Sequence, residues 1–367
     1  MGLPIQTIRE YKRSSRKVLT SISSILAFLV MVVFVVDPFQ HYRSAGFYKP
    51  IFDYNRYLNP GLAKNLDYDT AIIGTSMVMN FRRDAVNNIF GGDTVNLSVP
   101  AGSVAEQSLT MRTVLDVGKA KRIILGLDYF QYVRDPEIYV ISPFPFHLYD
   151  NSPFNDYKYL LNYFSLKVSY YIFEGNVLGR KTDKFDRDRA YNSPAKFPFG
   201  KEYALESYKE RFAHGDLTTL NSSGQPPIVN MNQNFDNYIL PYIKGAPGVE
   251  FYMFFPPYSY LTWLIDLNKT PMTIDYIYGF KGHVLEATRG LPNVKVFDFQ
   301  SDSSITFNLD NYMDVGHYSS DVSRYIVESM AEGRNLLTEE TLPDFRRSLT
   351  EQVGSVSFED FNRELGL

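Results

Sequence analysis

Thr70-Ala71-Ile72-Ile73-Gly74-Thr75-Ser76-Met77 decides the class of fold. A threonine and three aliphatic residues without polar alternation fit a strand buried on both faces, and the glycine that follows ends it in a turn. The same signature returns at Val95-Asn96-Leu97-Ser98-Val99, Arg122-Ile123-Ile124-Leu125-Gly126, Val249 to Phe255 and Val294-Lys295-Val296-Phe297. Between or after these runs the apolar spacing turns helical, at about 103–118 (Val104, Leu109, Met111, Val114, Leu115), about 275–289 and about 319–332. Strands alternating with helices predict a doubly wound α/β domain with a parallel sheet, over residues 67–335.

One interval breaks the rhythm. About 115 residues, roughly 130–245, separate the third run from the fourth, far more than a crossover needs. This predicted insert is rich in aromatics (Tyr157, Tyr159, Tyr163, Phe164, Tyr170, Tyr171, Phe173) and contains a mixed-charge run, Arg180 to Arg189, that reads as a solvated loop. Aromatic faces can stack on sugar rings, and the same spacing also arises in a helix core. Residues 37–66 hold Tyr42, Phe47, Tyr48, Pro50, Phe52, Tyr54, Tyr57 and Pro60, which interrupt any long periodicity and suggest a connector packed on the domain. Residues 336–367 form a polar tail with sparse apolar positions, which reads as a peripheral helix.

At the other end, Val18 to Val36 is a stretch of 19 residues without a charge, apolar at every position from Ile25. At about 1.5 Å per residue it reaches about 28 Å as a helix, close to the roughly 30 Å hydrocarbon thickness of a bilayer. It exceeds the h-region of a cleavable signal peptide, and Asp37-Pro38-Phe39-Gln40 offers no small-x-small cleavage site. Residues 18–36 are therefore expected to be a single-pass anchor in the cell membrane. Residues 1–17 carry Arg9, Lys12, Arg13, Arg16 and Lys17 against Glu10, a net +4, which predicts a cytoplasmic tail with the main domain outside.

The 367 residues hold 37 Lys+Arg against 41 Asp+Glu, so with +4 at the N-terminus the remainder carries −8; nothing here suggests a nucleic-acid partner. Cysteine is absent, which excludes disulfides, thiol catalysis, zinc–thiolate sites and iron–sulfur clusters. His41, His147, His214 and His283 form no pair with metal-site spacing, and there is neither a dinucleotide fingerprint nor a phosphate loop. No metal and no cofactor are expected.

In an open α/β sheet, ligands gather beyond the carboxyl ends of the strands. After the first run, Gly74-Thr75-Ser76-Met77 would expose a serine hydroxyl beside the N–H groups of a helix start, although a lone serine there is more often a simple cap. After the last run come Asp314 and His317, three residues apart, so that the carboxylate can hold one imidazole nitrogen while the other faces the cleft. A serine hydroxyl is a poor nucleophile at neutral pH; it needs a base for its proton, and the base needs an anion to fix its tautomer. Parallel topology can bring these strand ends together. The fourth run ends in Phe254-Phe255-Pro256-Pro257-Tyr258-Ser259-Tyr260, whose prolines direct a stiff loop toward the same edge; Tyr258, Ser259 and Tyr260, with Tyr129 after the third strand, are candidate substrate contacts.

This order of residues resembles the SGNH/GDSL hydrolase superfamily: Gly-x-Ser at strand one, Asn96-Leu97-Ser98-Val99-Pro100-Ala101-Gly102 after strand two, Gly126-Leu127-Asp128-Tyr129 after strand three and a terminal Asp-x-x-His. With its anchor, the chain is similar in particular to membrane-tethered members associated with alginate O-acetylation and teichoic-acid D-alanylation. The resemblance covers residues 67–129 and 249–330 and implies a flavodoxin-like sheet, Ser76 as nucleophile, His317 as base and Asp314 as its orienter. It also implies an oxyanion hole from the N–H groups of Ser76 and Gly102. Asp128 stands where the family commonly has an oxyanion-binding asparagine, and an ionised carboxylate cannot donate a hydrogen bond. The expected activity is that of an extracytoplasmic serine acyltransferase or esterase acting on O-acyl groups, acetyl foremost, of an envelope or exported polysaccharide. A membrane partner would supply the acyl group. The alternative from another class is a non-catalytic, polysaccharide-binding assembly scaffold in which the site has decayed.

Overall fold

A computed structural model describes residues 5–188, 198–214 and 225–367. Arg189, the end of the predicted mixed-charge loop, lies outside them, as do parts of the insert, residues 1–4 of the basic tail and the side chain of His214. The five apolar runs form β1 (Thr70–Ile73), β2 (Thr94–Asn96), β3 (Arg122–Gly126), β4 (Glu250–Phe255) and β5 (Val294–Asp298). All pair in parallel in the order β2-β1-β3-β4-β5, with Val95, Ala71, Ile123, Phe251 and Val294 in one row across the sheet. The strands are buried almost throughout because helices cover both faces. β2 is shorter than its apolar run, yet Leu97 and Val99 still donate to the carbonyls of Ile72 and Gly74 at 2.8 and 2.9 Å.

The expected helices are present at Val104–Val117, Thr273–Ala287 and Ser320–Glu332. The first begins with a capping box, in which Ser103 accepts from the Glu106 N–H and the Glu106 carboxylate accepts from the Ser103 N–H. Glu106 also takes a bidentate ion pair from Arg56 at 2.6 and 2.9 Å, tying the connector to the domain. That connector contains a helix, Asn55–Asn65, with Pro60 inside it, where the aromatic and proline content gave no long periodicity. A proline removes the N–H that would satisfy the carbonyl four residues back. Here the Tyr149 hydroxyl donates to that carbonyl, Arg56 O, at 3.0 Å, so the helix continues.

The stretch 130–245 is not one insert. Its last part, the helix Pro227–Tyr238, packs on Val104–Val117, Tyr129–Val133 and Thr273–Ala287 and serves as the crossover between β3 and β4. The earlier part, with the helices Tyr157–Leu160 and Tyr163–Asn176, builds a second core in which Phe144, Leu148, Tyr159, Val168 and Ile172 enclose Val33 and Phe39. Residues 336–367 are helical, as expected, and join the domain: the Leu337 N–H donates to Val296 O at 2.8 Å, extending the edge of β5. The helix Leu342–Gly354 then buries Leu349 and Val353.

The N-terminal helix runs from Ile5 to Val36, longer than the predicted apolar span because it continues back through the basic residues. Its segment Glu10–Val36 is long and apolar enough to cross a membrane, and little of it is covered by the rest of the chain.

Candidate active site

In the strand order the chain reverses between β1, which leads outward to β2, and β3, which lies on its other side; such a switch point leaves a crevice at the carboxyl ends of the strands. Ser76 follows β1 there, as the first residue of a single 3₁₀ turn, Ser76–Val78. The turn sits low on the sheet because two glycines admit it. A Cβ on Gly126 would stand 2.7 Å from a Val78 methyl, and one on Gly74, whose φ is +157°, would stand 3.1 Å from both.

The three side chains predicted to act together do meet. Ser76 Oγ lies 2.8 Å from His317 Nε2, and His317 Nδ1 lies 2.7 Å from Asp314 Oδ2. The other carboxylate oxygen of Asp314 accepts from the N–H groups of Gly316 and His317, each at 2.7 Å, which fixes its plane. Burial alone would raise the Asp314 carboxyl, but the adjacent imidazole and these donors hold it down at about 2. Burial alone would lower the His317 imidazole, but the Asp314 charge and hydrogen bond outweigh it and raise its pKa above the ordinary value.

Residues not singled out from the sequence set the Ser76–His317 separation. The Asn80 side chain donates to Tyr318 O at 2.7 Å, and the Tyr318 hydroxyl donates to Met77 O at 2.5 Å. Each loop thus holds the residue next to the other's functional side chain. The histidine loop is tied to the β4 loop as well: Ser259 and Thr262 both donate to Val315 O, at 2.5 and 2.7 Å, and Tyr312 donates to Pro257 O at 2.9 Å.

Several predicted contacts are placed otherwise. The N–H of Gly102 donates to Val99 O at 2.7 Å, within a turn where Ala101 takes a positive φ of 50°, so it is not directed at the serine. Among the described residues the Ser76 N–H, the other member of the expected pair, has no acceptor. Asp128 is buried and accepts from Thr75 Oγ1 at 2.9 Å and from the Tyr258 hydroxyl at 2.5 Å; Thr75 Oγ1 in turn accepts from the Met77 N–H. Burial pushes the Asp128 carboxyl upward against these donors. Its position fits a brace for the serine turn rather than an oxyanion donor. Of the four expected substrate contacts, Tyr258 alone lines the cleft. Ser259 is spent on Val315, Tyr129 is fully buried and donates to Asp266 at 2.9 Å, and Tyr260 stacks on Phe307.

The cleft measures about 160 Å³ and is lined by Ser76, Asp314 and His317 together with Phe130, Arg134, Arg211 and Thr262. A larger hollow, about 910 Å³, lies beside Lys12, Arg13, Arg16 and Lys17 on the N-terminal helix, but its lining has serines without a histidine or a carboxylate beside them. Arg134 follows the short helix after β3 and Arg211 comes from the helix Lys201–His214, so two guanidiniums face the cleft from the segment between β3 and β4. No protein-family model matches this chain, and no curated protein matches it.

Proposed function

We propose that the chain is a membrane-anchored, outward-facing serine acyltransferase or esterase of the SGNH type that acts on ester-linked acyl groups of an envelope or exported polysaccharide. The observation that carries this reading is the continuous hydrogen-bonded series Ser76 Oγ–His317 Nε2, His317 Nδ1–Asp314 Oδ2 at the switch point of the sheet. The strand order 2-1-3-4-5 of flavodoxin-like sheets supports the same family. A cleft of about 160 Å³ is close to the roughly 150 Å³ of a cavity that holds benzene, so it suits a ligand the size of a small acyl ester. The two arginines beside it favour a substrate bearing negative charge.

In this mechanism His317 Nε2 takes the Ser76 proton while Oγ bonds to the acyl carbonyl carbon, and the oxyanion faces the Ser76 N–H. Collapse expels the alcohol, which receives that proton from His317, and leaves the acyl group on Ser76. A sugar hydroxyl or water then gives its proton to His317 and attacks the acyl carbon, and Ser76 leaves by taking that proton back from His317. The acyl group would come from a membrane partner. In this reading Asp128, which stands where the family commonly has an oxyanion-binding asparagine, braces Thr75 at the serine turn.

Ser76→Ala and His317→Ala should each abolish most hydrolysis of p-nitrophenyl acetate by the full-length protein, and the double variant should lose little more. Retained hydrolysis in Ser76→Ala, together with unchanged acyl content of the envelope polymer in a strain carrying it, would overturn the proposal.

A further inference from the structure

The helix Tyr163–Asn176 is apolar on two sides. One side buries Ser165, Val168, Ser169 and Ile172 in the second core. The opposite stripe, Tyr163, Tyr170 and Val177 at seven-residue spacing with Phe173 beside it, is open, with Tyr163 77% and Val177 65% exposed. Such exposure is concentrated in the molecule. Among the described residues outside the N-terminal helix, eleven of the fifteen exposed large apolar ones fall within 138–178, and four lie elsewhere, at Phe47, Met272, Leu336 and Leu367. A soluble surface seldom gathers so many in one place.

The position of this stripe relative to the anchor says what covers it. The helices Tyr157–Leu160 and Tyr163–Asn176 both pack against the N-terminal helix. That helix is exposed all round from Glu10 to Phe28, then partly covered at Leu29, Val30, Val32, Val33 and Val36. From Leu29 to Val36 the axis advances about 10 Å. If Val18–Val36 fills the roughly 30 Å hydrocarbon layer, the elements that cover its last two turns lie within the outer third of that layer and its headgroups. The junction is stiff. Asp37 accepts from the N–H groups of His41, Tyr42 and Arg43 and from the Tyr159 hydroxyl, at 2.7–3.0 Å, and the Arg43 guanidinium donates to Val35 O.

We infer that the open face of residues 154–178 lies in the headgroup–acyl boundary of the bilayer that the anchor crosses, so that the domain is docked on the membrane and not tethered above it. Tyrosines with an apolar ring and a wet hydroxyl suit that depth. Lys158 and Lys167, exposed on the same segment, can extend their stems along the apolar layer and keep their charge at the phosphates. The inference rests on the N-terminal helix being a membrane anchor and is independent of the serine chemistry.

The absence of cysteine makes the test direct. Full-length Tyr163→Cys and Tyr170→Cys, with Leu26→Cys in mid-anchor and Arg324→Cys on an exposed helix of the α/β domain as references, are spin-labelled and reconstituted into phosphatidylcholine–phosphatidylglycerol vesicles. Collisional relaxation by dissolved oxygen is compared with that by a water-soluble nickel chelate. Labels at 163 and 170 should favour oxygen, as at Leu26, and the label at Arg324 should favour nickel. Nickel preference at 163 and 170 would place the face in water and overturn the inference. Shielding from both agents there would mean that a protein covers the face, and a Leu26 label in water would remove the anchor; either result also overturns it.

Discussion

Replacing Asp314 by asparagine exchanges one oxygen for one nitrogen, and the structure says which. Oδ1 of Asp314 accepts two backbone N–H groups at 2.7 Å, so the amide oxygen of the variant must stay there. The new NH₂ then stands where Oδ2 stood, 2.7 Å from His317 Nδ1. Since it can only donate, Nδ1 must accept and the ring proton moves to Nε2, 2.8 Å from Ser76 Oγ. An Nε2–H cannot take the serine proton. The loss expected for such a tautomer reversal is about 10⁴ in kcat, or about 5.5 kcal/mol of transition-state stabilisation. Removing the carboxylate charge also removes the cause of the raised His317 pKa, while burial, which lowers it, remains. The assay is kcat/KM for p-nitrophenyl acetate against pH, with thermal melting to confirm that the fold persists. Activity within tenfold of the parent in a folded Asp314→Asn protein would refute the tautomer argument.

Three further outcomes are expected. The base is active only when neutral, and its folded pKa is raised, so kcat/KM should fall as pH drops through a midpoint above 6.5; a midpoint below that value would contradict the His317–Asp314 coupling. Tyr318→Phe deletes the 2.5 Å bond to Met77 O, which should cost about 1–3 kcal/mol of stability and, by letting Ser76 drift from His317, about 10² in kcat. Its pH midpoint should stay unchanged, because the His317–Asp314 contact is untouched; a shifted midpoint would give Tyr318 another role. Asp128→Asn should slow the proposed ester hydrolysis, because Thr75 and Tyr258 donate to different carboxylate oxygens and the amide keeps only one of them; a rate increase in acyl transfer would make position 128 an oxyanion donor after all.

The strands were legible because burial on both faces leaves a dense aliphatic run, as in Thr70–Ile73 and Arg122–Gly126. Ser76 and the Asp314–His317 pair were legible by position, because ligands in such folds gather at the carboxyl ends of strands and parallel topology brings those ends together. What the cleft faces was harder to read. Tyr129, Ser259 and Tyr260 sit in the right loops, but a hydroxyl that points inward to Asp266 or Val315 carries the same letter as one that points outward. The Gly102 N–H depends on the turn that Ala101 makes, a backbone matter invisible in composition. The helix at Asn55–Asn65 contradicts local propensity and exists because Tyr149, some ninety residues later, caps the carbonyl that Pro60 abandons. Arg211 reaches the cleft from a helix whose sequence gives no sign of its destination.

The central claim is that Ser76 is an activated nucleophile, and an active-site-directed fluorophosphonate tests it most directly. Incubation of the full-length protein should add one phosphonyl group, mapped by peptide mass spectrometry to Ser76, with labelling lost in Ser76→Ala and slowed at least a hundredfold in His317→Ala. A protein that stays unlabelled under conditions where a known serine hydrolase reacts fully would contradict the account.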